Sequence, residues 1–146
     1  MPQITENYIA TGKVVYIFYQ LPLTSIHPNA QITSEASECA GLQGKFWEMH
    51  DLLFENQSEW SSSADVLTFL QGYGAELGLD QATFDACLQG NETAPRVAAD
   101  SSFAASLGIG GTPFFVINQD GELYAVNGAQ PYEAFQQGFD GLLVEP

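Results

Sequence analysis

The middle of the sequence constrains the fold most, because between residues 29 and 108 it offers helical patterns and no strand pattern. Apolar side chains recur there three and four residues apart, a spacing that places them along one face of an α-helix. Strand-like runs occur outside this stretch, at residues 14–19, 114–118 and 123–126. The sequence therefore predicts a sheet formed by the two ends of the chain, with a helical insertion at about residues 29–108.

The two ends of the chain supply the remaining elements. A helix is predicted over residues 2–10 and a buried strand over residues 14–19. The Asp-Gly pair at 120–121 is typical of a hairpin turn between the two later strands, and Pro131 suits the first position of a closing helix. The predicted order is helix, strand, several helices, β-hairpin and helix, in a single domain that covers residues 1–146.

Two predicted helices of the insertion carry residues whose role depends on the face they occupy. The last helix has Ala99, Phe103 and Leu107 at intervals of four residues, so we expect these side chains to face the core. An earlier helix has His50 on the same apolar face as Met49. A histidine in that position is expected to be a hydrogen-bonded core residue rather than a ligand.

The charge balance excludes whole classes of partner. Three Lys or Arg residues stand against 18 Asp or Glu residues, which gives a net charge of −15 at pH 7. So few cations cannot neutralise phosphates, so we expect neither nucleic-acid binding nor docking on anionic lipid. The longest apolar run, residues 14–19, is far shorter than a membrane span, and the first residues lack the pattern of a signal peptide. We therefore expect no membrane span and no signal peptide in this chain.

Several motifs share the pattern of one known family. They are Leu21-Pro22-Leu23, His27-Pro28-Asn29-Ala30, Glu38-Cys39-Ala40, QGKFWEMHDLLF at 43–54, Gly111-Thr112-Pro113 and GAQPYEAF at 128–135. Together they resemble the DsbA-like branch of the thioredoxin-fold proteins, and the resemblance covers essentially the whole chain. It implies an α/β fold: a thioredoxin-like, DsbA-like sheet with a helical insertion, here N-terminally truncated.

The resemblance implies thiol–disulfide exchange with protein disulfides and dithiols, but this chain departs from the family at the reactive motif. Such proteins use a Cys-x-x-Cys pair at a helix N-terminus, where the pKa of one thiol is lowered. In the family that pair follows a central strand and precedes the helix that corresponds to residues 2–10, and this sequence contains neither the pair nor the strand. Cys39 and Cys87 lie on separate predicted helices and cannot replace it. We favour a fragment of a longer oxidoreductase over a family member that has lost its chemistry.

Gly111, Thr112 and Pro113, the 111–113 loop, are the strongest candidate binding residues. The resemblance implies that Pro113 is cis and that the Thr112 backbone pairs with an extended polypeptide client. The alternative is a plain turn that starts a strand, where proline is unremarkable. The partners that the resemblance implies are extended polypeptide clients and a redox partner protein.

Cys39 and Cys87 each fall on an apolar helical stripe, and two interpretations stay open. In the first, they are two buried thiols that act as small hydrophobic residues. In the second, they form a structural disulfide that joins two helices of the insertion. The second fits the periplasmic or extracytoplasmic location that the resemblance implies, and closing so long a loop is worth about 4 kcal/mol. Catalysis by either cysteine is not expected, because neither has a neighbouring cysteine or basic residue in sequence.

A metal site is not expected, although the chain has two histidines and two cysteines. Their positions, 27, 39, 50 and 87, contain no close pair of ligands. No Gly-rich phosphate loop and no Ser/His/Asp arrangement occurs either. We therefore expect no metal, no cofactor and no catalytic residue in this chain.

Three functional hypotheses follow. The leading one is a DsbA-like protein-disulfide oxidoreductase domain that is inactive as this chain. Its main rival is a noncatalytic thioredoxin-fold module that binds peptides with the same loop. The related isomerase branch, which uses glutathione, is disfavoured by the Gly-Lys-Phe-Trp-Glu-Met-His run at 44–50. The resemblance implies a central strand between those at 14–19 and 114–118, and without it their inner edges would be open. We therefore expect a marginally stable chain, oligomers formed by strand pairing, or a closing of the gap by movement of the two strands together.

Overall fold

The structure is a computed structural model that describes residues 1–143. The chain forms two units, Met1–Phe18 with Ile109–Pro146, which we call the sheet unit, and Tyr19–Gly108, which we call the helical unit. In chain order the elements are α1 (Pro2–Ile4) with a π-helical continuation (Thr5–Ile9), α2 (Ala30–Gly41), α3 (Phe46–Glu55), α4 (Gln57–Trp60), α5 (Val66–Glu76), α6 (Gln81–Gln89), α7 (Ala94–Ser106), β1 (Phe114–Gln119), β2 (Glu122–Asn127) and α8 (Tyr132–Leu142). No helix within residues 1–143 has both the length and the hydropathy needed to cross a membrane.

The sheet of the sheet unit is an antiparallel hairpin. Phe114 lies opposite Asn127, and the register continues to the turn at the Asp-Gly pair. Asp120 and Gly121 have φ values of 53° and 93°, the left-handed conformation that a tight two-residue hairpin turn requires. The hairpin and its turn therefore lie where the sequence predicts them.

Aromatic and aliphatic side chains from both ends of the chain form the core of the sheet unit. Its buried residues are Ile4, Tyr8, Phe135 and Phe139, with Val14, Phe115, Ile117, Val126 and other apolar side chains packed against them. The rings of Tyr8 and Phe139 lie 4.9 Å apart, and the Tyr8 hydroxyl donates a hydrogen bond of 2.7 Å to Asp140. That hydrogen bond, together with burial, raises the pKa of Tyr8 to about 12.

The predicted buried strand at residues 14–19 is not a strand in the structure. Among residues 1–143 the sheet has two strands, β1 and β2, which pair with each other. A strand is defined by the ladder hydrogen bonds of its backbone, and an apolar pattern along the chain does not by itself supply such a ladder. Exposure nevertheless alternates along the run: Val14 packs in the core, whereas Val15 and Ile17 are 84% and 65% exposed. Tyr19 is exposed as well, so the prediction that this run is buried was wrong at Val15, Ile17 and Tyr19.

The helical unit has its own core, formed by the inner faces of its helices. Its buried members are Ala36, Cys39, Ala40, Met49, Leu53, Trp60, Val66, Leu70, Tyr73, Leu79, Phe84, Cys87 and Leu88. Local capping explains where α6 begins, because the Asp80 side chain accepts a hydrogen bond of 2.8 Å from the backbone N–H of Thr83. The short helix α4 was not predicted; its Trp60 indole donates to the Leu53 carbonyl at 2.8 Å.

Helix α7 is rotated relative to its prediction. Phe103 and Leu107, expected to face the core, are each 49% exposed. The buried face instead carries Val97, Asp100 and Ala104. Asp100 is buried because its carboxylate accepts a hydrogen bond of 3.0 Å from the backbone N–H of Gln20, a contact that an apolar pattern cannot reveal.

Candidate functional site

The 111–113 loop leads directly into β1. The Thr112–Pro113 peptide bond is cis, and Gly111, Thr112 and Pro113 are all exposed. The backbone N–H of Gly128 donates a hydrogen bond of 3.0 Å to the Pro113 carbonyl. Because this bond joins the loop to the residue that follows β2, it fixes the end of the loop against the hairpin.

Thr112 lies beyond the β1–β2 ladder. The register begins with Phe114 opposite Asn127, so the Thr112 backbone takes no part in the pairing of the two strands. A Cβ placed on Gly111 would meet no atom within 4 Å, which leaves open space beside the loop. An exposed backbone segment at the end of a strand is chemically suited to pair with another extended chain.

Gly128, whose N–H binds the Pro113 carbonyl, lies in a turn that was not predicted to be functional. Gly128 has a φ of 80°, and the Gln130 side chain donates a hydrogen bond of 2.8 Å to the Asn127 carbonyl. Both residues belong to a local turn between β2 and α8. The Gly128-Ala129-Gln130-Pro131 stretch was noted for its resemblance, and its Gly and Pro residues are the turn signal that could have identified it.

Cys39 on α2 and Cys87 on α6 form a disulfide, with their Cα atoms 6.0 Å apart. The sequence left open whether these residues are two buried thiols or a disulfide, and in the structure they form the disulfide. The two residues are 1% and 2% exposed, and they are the only cysteines in the sequence. Exchange needs a thiolate that can reach a disulfide sulfur, so this buried bond is suited to joining helices rather than to catalysis.

His50 is partly buried rather than a core residue. Its ring centroid lies 4.7 Å from that of Phe54, and its Nδ1 atom lies 2.9 Å from the Asp51 carboxylate. His27 is exposed in the loop before α2. Within residues 1–143 no group of three or more His, Cys, Asp or Glu side chains is arranged to hold a metal ion.

The fold is that of thioredoxin-like proteins. Residues 1–140 match the family model described as thioredoxin, and the chain belongs to that family. The fold is DsbA-like, helical with a small two-stranded sheet, which confirms the resemblance and the fold class predicted from the sequence.

Particular proteins agree with this assignment. The chain is similar to the crystal structure of α-DsbA1 from Wolbachia pipientis, with a TM-score of 0.83 and 29% identity over 97% of this chain and 74% of that one. A second crystal structure of that protein, with two cysteine-to-alanine substitutions, has a TM-score of 0.83 and 27% identity at the same coverage.

Two curated relatives are antiporters by name. The chain is 41% identical over 117 residues to Na(+)/H(+) antiporter NhaA 1 of Salinispora arenicola. It is 40% identical over 117 residues to Na(+)/H(+) antiporter NhaA 3 of Salinispora tropica. Each match covers 80% of this chain but 17% of the antiporter, so the chain spans about a sixth of the length of these relatives.

Proposed function

We propose that this chain is the polypeptide-binding part of a DsbA-like thiol–disulfide oxidoreductase and that the chain alone does not carry out the exchange. The observation that carries the proposal is the exposed 111–113 loop, whose Thr112 backbone lies outside the hairpin ladder. It occurs in a chain whose two cysteines are joined in a buried disulfide. Membership of the thioredoxin family and likeness to a DsbA protein support the same reaction class.

Binding at the loop would use the backbone more than the side chains. Thr112 can donate its N–H and accept at its carbonyl, as a residue does at the end of a strand. The hydrogen bond from Gly128 to Pro113 restrains the loop, which lowers the entropy that binding must overcome. An interaction of this kind recognises an extended chain with little dependence on its sequence, as a protein-disulfide oxidoreductase requires.

A noncatalytic peptide-binding module is the second candidate, and the same loop supports it. The two candidates differ in whether a reactive dithiol accompanies the loop. The sequence encoded upstream of Met1 distinguishes them. An in-frame strand followed by Cys-x-x-Cys would favour the oxidoreductase, and an upstream sequence without that pair would favour the module.

We also propose that the protein acts in an oxidising, extracytoplasmic compartment, where it would bind polypeptide clients and a redox partner protein. The Cys39–Cys87 disulfide supports this location, because such bonds persist mainly in oxidising environments. Ion transport is not part of the proposal, since the match to the antiporters covers 17% of their length.

Titration with a short extended peptide tests the binding proposal. We expect a peptide of alternating Thr and Val residues to shift the backbone amide resonances of Thr112 and Phe114. A peptide of the same sequence with N-methylated backbone nitrogens should leave them unchanged, because it cannot form ladder hydrogen bonds.

Matched variants of one loop residue separate backbone from side chain. Thr112→Pro removes the N–H and should weaken binding, whereas Thr112→Val keeps the backbone and should bind like the wild type. Equal binding of the methylated and unmethylated peptides, or shifts confined to other residues, would contradict the proposal.

A further inference from the structure

Helix α3 has three faces with different chemistry. Its inner face carries Met49 and Leu53, which are buried in the core of the helical unit. A rotation of about 100° per residue places six of the remaining side chains in two adjacent rows. The row next to the core, the aromatic stripe, consists of Trp47, His50 and Phe54. The outermost row, the acidic stripe, consists of Glu48, Asp51 and Glu55.

The aromatic stripe is a continuous ring surface. The His50 ring centroid lies 5.4 Å from that of Trp47 and 4.7 Å from that of Phe54. Trp47 and Phe54 are nevertheless 44% and 61% exposed. So much exposed aromatic area on one helix face is typical of a surface that binds a partner.

The acidic stripe runs directly alongside the aromatic stripe. Glu48, Asp51 and Glu55 are all exposed. The Lys45 ammonium donates to Glu48 at 2.8 Å, and this hydrogen bond lowers the pKa of the Glu48 carboxyl. Asp51 lies 2.9 Å from the His50 ring, so the two stripes touch. A partner that covers the rings must therefore also meet carboxylates.

We propose that the two stripes of α3 form a docking surface for a basic polypeptide segment. Cationic side chains would lie over the faces of Trp47 and Phe54 and pair with the adjacent carboxylates. Arginine suits the surface better than lysine, since its planar guanidinium both stacks on rings and binds carboxylates through two hydrogen bonds. This inference goes beyond the proposed function and uses none of the residues of the 111–113 loop.

Charge complementarity decides between this occupant and others. An apolar partner would strip water from the acidic stripe without replacing its hydrogen bonds, which is unfavourable. An acidic partner, or a second copy of a chain with a net charge of −15, would be repelled. A basic segment alone satisfies both the rings and the carboxylates.

The test uses the full chain and a fluorescein-labelled peptide of repeated Arg-Gly-Ser units, followed by anisotropy. We expect saturable binding that weakens as salt is added. Trp47→Leu keeps the face apolar but removes the best cation-binding ring, and should weaken binding about threefold. The double variant Asp51→Asn with Glu55→Gln should weaken it about fivefold.

A matched control separates this surface from general attraction to an acidic protein. Glu76 and Glu92 are exposed on other parts of the helical unit, so changing both to Gln removes the same net charge. This control should bind nearly as well as the wild type. Equal losses in the two double variants, or no saturable binding, would overturn the proposal. Self-association of the chain that Trp47→Leu abolishes would also overturn it, because a second copy would then be the occupant.

Discussion

At the residue scale, burial decides what the two cysteines can do. Cys39 and Cys87 are bonded to each other and almost inaccessible. We therefore expect no reduction of insulin by dithiothreitol above the uncatalysed rate when this chain is added. The measurement is the turbidity of the released insulin B chain. A variant with both cysteines changed to alanine should behave like the wild type, and turnover that this variant loses would contradict the prediction.

Tyr8 provides a pH prediction at the same scale. Its hydrogen bond to Asp140, aided by burial, raises the pKa of Tyr8 from 10.0 to about 12 in the folded chain. Folding therefore favours the neutral phenol. Its contribution to the free energy of unfolding is complete below pH 10 and is lost as the pH rises towards 12. We expect Tyr8→Phe to flatten the decline of the urea midpoint across this window.

Tyr19→Phe is the control for this measurement, since Tyr19 lies outside the Tyr8–Asp140 pair. It should leave the slope of the urea midpoint against pH close to that of the wild type. A Tyr8→Phe slope equal to the wild-type slope would show that the hydrogen bond does not set the titration.

At the element scale, the sequence predicted what depends on local signals. The hairpin was predicted because an Asp-Gly turn between two apolar runs requires the left-handed conformation found at Asp120 and Gly121. The start of α6 likewise depends on a local contact, the hydrogen bond from the Thr83 N–H to the Asp80 side chain three residues earlier. Such features depend on residues a few positions apart, so the printed sequence contains all the information they need.

Features that depend on distant residues were not predictable in this way. The buried face of α7 carries Asp100, which accepts a hydrogen bond from the backbone of Gln20, far away in sequence, and lies 3.7 Å from the guanidinium of Arg96 on the same helix. Residues 14–19 have the composition of a strand, but a ladder needs a partner that the pattern cannot guarantee. At the candidate site, the sequence identified the 111–113 loop but not the Gly128 contact that restrains it. The resemblance supplied the fold class, which these local signals alone would not have determined.

The buried carboxylate of α7 allows a prediction for that element. Asp100→Ala removes the acceptor for the Gln20 N–H and leaves a buried donor unpaired, so it should lower the free energy of unfolding by about 1–3 kcal/mol. Asp100→Asn keeps an acceptor oxygen and should cost less. Urea titration of both variants measures the difference. Equal stability of Asp100→Ala and the wild type would show that the hydrogen bond has no net value.

At the scale of the whole molecule, charge and apolar edges have opposite effects on association. A net charge of −15 repels one copy from another. Within residues 1–143 the edge of β1 that faces away from β2 has no strand beside it, and Val15 and Ile17 leave apolar surface exposed. Open apolar edges recruit further strands. Salt screens the repulsion between copies without weakening the apolar attraction, so the extent of self-association should depend on ionic strength.

We therefore predict that the chain self-associates through strand edges and that the association increases with salt. Light scattering should show a larger mean mass at about 0.5 M NaCl than at low salt, where the screening length is several times longer. Ile17→Lys replaces exposed apolar surface beside the sheet unit's core with a charge and should reduce the association, because exposed apolar patches promote contact between copies. Trp47→Leu, on the surface of α3, should leave the self-association unchanged. The two surfaces also differ in their response to salt, because binding of the arginine peptide to α3 should weaken as salt is added. A monodisperse monomer at every salt concentration would show that the edge is covered in solution.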